Sequence, residues 1–326
     1  MTDALFAPFR RLSVVIPVYR GARTIGPLVQ RLEAELQPHH DLEIVLVNDG
    51  SPDDSAAVCR SLAASRPHLR FVDLARNFGE HNAVMAGLNH CSGDAAVILD
   101  DDFQNPPSEV RKLTDELAKG YDVVWSRYET KQHGWFRNLG SRFNDRIATM
   151  MLGKPPDLYL SSFKAMTRMV IDEVVRYQGP YPYIDGLILR VTHRFSTVEC
   201  HHDPRAVGKS GYTLRKLIAL WLNMFTSFSV KPLRIASVAG LAVALIGVVF
   251  AIACLLEHFW YPQIQSGWAS TIVTLLIVSG IQLMVLGVIG EYLGRLFLQV
   301  NGRPQFVVRE RINCAERAPE EKTTHA

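Results

Sequence analysis

The chain has 326 residues, 48% of them hydrophobic and 21% charged, with a formal net charge of +3. That length suits one large domain or two ordinary ones, and the near-neutral balance gives no global attraction to nucleic acid. Five cysteines (Cys59, Cys91, Cys200, Cys254, Cys314) form no CxxC pair and no metal-ligand spacing, so they read as reduced thiols of a cytoplasmic compartment. The opening "MTDALFAPFRRLSVVIPVY" carries an acid early and runs straight into a strand, unlike a signal peptide.

From residue 12 to about 125, short apolar runs alternate with helical patterns. "LSVVIPVY", "LEIVLVND", "LRFVDLA", "AAVILD" and "YDVVWS" are rich in Val, Ile and Leu and read as strands. Segments 22–37, 53–65, 79–90 and 107–118 carry helical periodicity. The alternation predicts a mostly parallel sheet with helices on both faces. Ligands in such sheets bind beyond the carboxyl ends of the strands. Tyr19, Asp49 and the run Asp100, Asp101, Asp102 therefore fall on one rim, the geometry a nucleotide-plus-metal site needs. The Asn-Asp-Gly-Ser stretch from Asn48 to Ser51 is a strand-to-helix turn on its own chemistry; in the company of the other rim residues, Asp49 is a candidate acceptor for a base or ribose.

The acids of "AAVILDDDFQNPPSE" pose a physical problem. Like charges this close repel, and burial would raise their pKa values. A cap on helix 107–118 requires fewer acids than three, so a bound cation is the expected remedy.

The second half of the chain changes character. Segment 134–151 is apolar on one side, carries Arg137, Arg142 and Arg146, and reads as architecture. "HHDPRAVGKSGYTLRK" sets Arg205 and Lys209 in a Gly/Ser stretch suited to an anionic diphosphate or a phospholipid head group; a solvated basic loop is the alternative. Residues 213–229 repeat Leu214, Leu217, Ile218, Trp221, Met224, Phe225 and Phe228 at helical spacing, as a helix lying in a membrane interface would; a core-facing amphipathic helix would do the same. Ile235–Leu256 and Trp268–Gly290 are 22 and 23 residues almost without polar side chains, each enough to cross a bilayer. Lys231 and Arg234 precede the first span, and Arg295 and Arg303 follow the second, while the connecting loop has no Lys or Arg. The positive-inside rule then puts both chain ends in the cytoplasm.

"SVVIPVY", "VNDGS", "RNFGEHNAVMAGL" and "LDDDFQNPP", in this order and spacing, resemble the family 2 glycosyltransferases with the GT-A (Rossmann-like) fold. The two C-terminal spans and "GEYLGR" after them are similar to the polyprenyl-phosphate glycosyltransferases, the group of dolichol-phosphate mannose synthase, bactoprenol glucosyltransferase and undecaprenyl-phosphate aminoarabinose transferase. The resemblance covers roughly residues 12 to 308. It implies a cytosolic GT-A catalytic domain over 1–211, an interfacial helix over 212–231, a transmembrane hairpin over 232–296 and a cytosolic tail over 297–326.

The resemblance also implies roles. Asp100 and Asp102 would hold Mg²⁺ or Mn²⁺ bridging the phosphates of a nucleotide-sugar, with Gln104 as a further oxygen ligand; Asp101, the intervening acid, falls on the nucleotide side. Pro17 and Tyr19 lie where the family packs the nucleobase, and Asp49 where it bonds the base or ribose. Arg76, in the "RNFG" loop, would approach the diphosphate or sugar, or else pair with a nearby acid. Arg205, Lys209 and Ser210 match an Arg-x-x-Gly-x-Ser segment on the acceptor side. Asp157 is a candidate sugar contact or base, and Lys164 stands where relatives carry an Arg toward phosphate. The family often follows Pro-x-Tyr with Asn-Glu, but Arg20-Gly21 stand here. The implied reaction is inverting transfer of a sugar, read as UDP-linked, to undecaprenyl phosphate in the bacterial inner membrane, for envelope glycan or lipopolysaccharide modification. Partners are the nucleotide-sugar, the polyprenyl phosphate, the bilayer and, by resemblance, further copies of the chain, with no nucleic acid. A processive polysaccharide synthase would normally show Gln-x-x-Arg-Trp, which is missing, and a non-catalytic scaffold would not need the acidic run.

Overall fold

A computed structural model describes residues 9–128, 154–155, 158–203, 231–260 and 267–314. Asp157, Arg205, Lys209, Ser210, the expected interfacial helix 213–229 and the segment 134–151 lie outside them. The chain divides into two compact units, 1–211 with 304–326, and 212–303.

In the first unit, strands and helices alternate as the apolar runs require. β1 (Arg11–Val18), α1 (Ile25–Leu36), β2 (Asp41–Asn48), α2 (Ser55–Ala64), β3 (Leu69–Leu74), α3 (Glu80–His90), β4 (Ala95–Ile98), α4 (Glu109–Leu117) and β5 (Val123–Tyr128) follow in order. β6 (Lys164–Thr167), α5 (Arg168–Val174), α6 (Ile184–Val191), β7 (Phe195–Cys200) and β8 (Val308–Ile312) complete the unit. The eight-stranded sheet has the order β7-β5-β6-β4-β1-β2-β3-β8.

β1 pairs in parallel with β2 and β4, β2 with β3, and β5 with β7. β6 runs antiparallel between β4 and β5, with Lys164 opposite both Ile98 and Trp125. That reversal matters for the site. The start of β6 meets the carboxyl ends of β4 and β5, and Cys200 at the end of β7 is level with Tyr128. Ser162, Tyr128 and residues 201–203 therefore join Tyr19, Asp49 and Asp100–Asp102 on one rim. β1 and β2 are buried along almost their whole length, as central parallel strands covered on both faces must be. Trp125, Phe71 and Phe163 are the largest fully buried side chains.

β8 adds an antiparallel edge strand on β3 after the second unit of the chain. The apolar periodicity gave no strand there, because "VRERI" alternates charge with Val and Ile and presents only a half-buried face.

The second unit contains α7 (Lys231–Trp260) and α8 (Trp268–Val300), 30 and 33 residues long. Leu241, Ile246, Val249, Leu283 and Met284 are among the large apolar side chains exposed on them. Among the described residues one stretch is long and apolar enough to cross a membrane, Ile277–Leu298 in α8; a shorter apolar stretch, Gly240–Val249, lies in α7. The expected spans Ile235–Leu256 and Trp268–Gly290 are both helical, but the qualifying stretch in α8 lies later than expected. The first turn of α8 holds Ser270 and Thr271, and the Thr271 hydroxyl bonds Gly267 carbonyl at 2.7 Å.

Candidate active site

The rim is assembled from strand ends that must leave the sheet sharply. After β2, Gly50 adopts φ +58°, and a Cβ there would stand 2.4 Å from the Arg76 and Asn77 backbone. Only glycine lets the two loops approach so closely. The contact delivers Asp49 to the "RNFG" loop. Its two carboxylate oxygens accept the backbone N–H groups of Phe78 (2.7 Å) and Gly79 (2.9 Å). Burial raises the Asp49 pKa, opposed by these two bonds and by Arg76. Asp49 is 3% exposed, so it holds the loop, and any hydrogen bond to a base or ribose would use lone pairs these N–H groups leave. Arg76 is exposed, its guanidinium 4.2 Å from the centre of the Phe78 ring.

Pro17, near the end of β1, is half-buried, and Tyr19 just after the strand is 47% exposed, with the Arg20 guanidinium 5.6 Å from its ring. The Asp101 carboxylate accepts the Tyr19 N–H at 3.3 Å, and a Cβ on Gly21 would stand 2.3 Å from the same carboxylate oxygen. The Arg20-Gly21 departure thus has a local cause: Asp101 occupies the space a side chain at 21 would need. Arg20 (φ +63°) and Phe103 (φ +62°) are left-handed non-glycine residues on this rim, a conformation that costs energy and clusters at functional sites.

The acidic run is held from several sides. Ser162 donates its hydroxyl to Asp100 at 2.7 Å, and the Gln104 N–H bonds Asp102 at 3.0 Å. Burial, then Asp102 and Asp100, push Asp101 up to about 7. Glu80, at the start of α3, is likewise pushed up to about 7 by desolvation and then by Asp100, with Lys164 opposing. Both shifts reflect first the cost of desolvating a carboxylate and only then the neighbouring acids, and a divalent cation bound here would oppose both. Carboxylates plus an amide oxygen are the hard donors Mg²⁺ or Mn²⁺ takes. Among the described residues no three His, Cys, Asp or Glu side chains form a ready-made metal cage, so a cation here would draw further oxygens from its substrate.

Lys164 is not offered to a phosphate. It is 3% exposed and ion-paired with Asp185, which is 6% exposed and also accepts the Trp125 Nε1–H at 2.9 Å. The reason is the antiparallel β6, which turns Lys164 into the sheet's interior beside Trp125. His81, next to Glu80, packs edge-on against Tyr183 at 5.3 Å, and burial pushes its pKa down to about 4.

Sequence reasoning missed four rim residues: Glu80, Tyr128, Ser162 and His202. The His201-His202 doublet just before the basic stretch was a legible signal for the last, and Ser162 became a neighbour only through β6.

The glycosyl transferase family 2 profile matches residues 13–175. An uncharacterized glycosyltransferase of Bacillus subtilis, YkcC, is 33% identical over 300 residues, covering 91% of this chain and 93% of that protein. The undecaprenyl-phosphate 4-deoxy-4-formamido-L-arabinose transferase of Edwardsiella ictaluri is 36% identical over 309 residues, covering 93% and 95%. Among solved structures, glucosyl-3-phosphoglycerate synthase from Mycobacterium tuberculosis overlays with a TM-score of 0.48 at 20% identity, covering 66% of this chain and 80% of that one. With a parallel sheet, a rim of acids and relatives along more than nine-tenths of its length, the chain belongs to glycosyl transferase family 2 and is a glycosyltransferase.

Proposed function

We propose that the protein is a membrane-bound inverting glycosyltransferase that moves a sugar from a nucleotide-sugar to a polyprenyl phosphate. The observation that carries this is the full-length similarity to undecaprenyl-phosphate arabinose transferases in a chain with two helices of 30 and 33 residues bearing exposed apolar side chains. At about 1.5 Å per residue, each helix exceeds the ~30 Å bilayer core. The helices form a hairpin with both chain ends cytoplasmic, in the inner membrane.

The mechanism follows from charge. A lipid phosphate is ionised at neutral pH, so its oxygen is a nucleophile without a strong base. That oxygen attacks the anomeric carbon from the face opposite the leaving diphosphate; the new C–O bond forms as the old one breaks, and configuration inverts. Asp100, Asp102 and Gln104 would hold a divalent cation, which when bound would supply positive charge against the leaving nucleoside diphosphate. Ser162 and the Gln104 N–H fix the two carboxylates by the bonds described above. Exposed Tyr19 receives the base, and Arg76 approaches the diphosphate. Arg205, Lys209 and Ser210 take the acceptor phosphate, and Asp157 is reserved for the sugar. Alignment and charge neutralisation are what the protein contributes.

The test is transfer from a panel of nucleotide-sugars by the full-length protein in lipid. The proposal requires radiolabel to enter an organic-extractable product only when undecaprenyl phosphate is present. Label reaching soluble sugars but never the lipid would refute it.

A further inference from the structure

His202 and Asp203 follow β7 and lie against the loop after β4 and the end of β5. The Asp203 N–H bonds the Gln104 carbonyl at 2.9 Å. Gln104 Nε2 is 3.2 Å from His202 Nε2, and His202 Nδ1 is 3.4 Å from Asn105 Oδ1. The His202 ring lies 4.2 Å from the Tyr128 ring, tilted by 35°. The Tyr128 hydroxyl donates to the same Asn105 oxygen at 2.8 Å and meets Ser161 Oγ at 3.2 Å, one residue before the Ser162 that holds Asp100.

With the imidazole neutral, these contacts orient the protons. Asn105 Oδ1 only accepts, so His202 Nδ1 carries the hydrogen and Nε2 keeps its lone pair. A lone pair at Nε2 can face only the NH₂ of the Gln104 amide, never its oxygen. Oε1 takes no hydrogen bond among the described residues. It is therefore the amide atom left to face a cation. Were the amide turned over, it would present N–H donors, which repel a cation.

Resting on the cation reading given above, we propose that His202 is a positioning residue of this site: it accepts an N–H from Gln104 and thereby keeps the Gln104 oxygen available as a ligand. Tyr128 and Asn105 hold the imidazole in the required orientation. A partner that orients a ligand is typically worth 10–100-fold in metal affinity.

The test titrates Mn²⁺ alone into the full-length protein in lipid nanodiscs and follows free Mn²⁺ by electron paramagnetic resonance. Asp102→Asn should abolish the tight component, and Gln104→Ala should weaken it. His202→Phe keeps a ring on Tyr128 but has no acceptor, and should weaken Mn²⁺ binding by about 10-fold. In a Gln104→Ala background His202→Phe should cause no further loss, since the two act through one interaction. His202→Gln, whose amide oxygen can reach the place of Nε2, should recover most of the affinity, which keeps the test decisive if the Phe variant does not fold. Binding unchanged in His202→Phe, an equal loss in the Gln104→Ala background, or a folded His202→Gln as weak as Gln104→Ala would each overturn the proposal. If Asp102→Asn leaves binding intact, the cation reading itself fails and this proposal with it; dependence on Asp102 with none on His202 overturns the positioning role alone.

Discussion

Removing one partner of the Lys164–Asp185 pair separates a structural lysine from a phosphate-binding one. Both side chains are buried, and Asp185 also accepts the Trp125 Nε1–H at 2.9 Å. Asp185→Ala leaves the Lys164 ammonium uncompensated in the interior and strands the indole N–H. Breaking a buried pair from one side costs about 3–5 kcal/mol, roughly two to four powers of ten in the folding constant. Replacing both partners at once, Lys164→Met with Asp185→Leu, removes the orphaned charge. It should recover all but the unpaired indole, a loss of about 1–3 kcal/mol. The assay is chemical denaturation of the purified protein, followed by tryptophan fluorescence. Denaturation midpoints in the order wild type, double variant, Asp185→Ala bear the reasoning out. A stable Lys164→Met variant that has lost turnover at saturating donor, with an unmoved midpoint in Asp185→Ala, would refute it and return Lys164 to the phosphate.

Three further outcomes follow from the rim. Chelation by EDTA should stop turnover, Mg²⁺ or Mn²⁺ should restore it, and Asp102→Asn should lose most of it with the fold intact by circular dichroism. Gly50→Ala puts a Cβ 2.4 Å from backbone at φ +58°, so it should destabilise by at least ~1 kcal/mol and lower the thermal midpoint. His81 has a folded pKa of about 4 against an ordinary value near 6.5. The unfolded chain therefore binds the extra proton first as pH falls, and His81 withdraws stability between about pH 6.5 and 4. His81→Phe should lose less stability than wild type over that interval in thermal melts; parallel pH curves would contradict the assignment.

The parallel core was readable as a class because β1–β5 are apolar runs alternating with helical segments, although the strand order was not. The acidic rim followed from that topology, since Asp49 and Asp100 come just after the carboxyl ends of β2 and β4. The strands that complete the rim were not readable for physical reasons. β6 is four residues long, and its Lys164 reads as a surface cation until Asp185, 21 positions later, is brought against it. β7 is a half-polar edge strand, and β8 reaches β3 only across the whole second unit. Gln104 could be named from the acidic run, whereas its contact His202 lies 98 residues away and becomes a neighbour only because β7 is parallel to β5.

The most direct measurement is the mass and anomeric configuration of the lipid product made from undecaprenyl phosphate and an accepted nucleotide-sugar. The account predicts one glycosyl residue on a lipid monophosphate, with the anomeric configuration opposite to that of the donor. A lipid diphosphate would mean that a sugar phosphate had been transferred; retained configuration, or a product containing no lipid, would contradict the central claim in the same measurement.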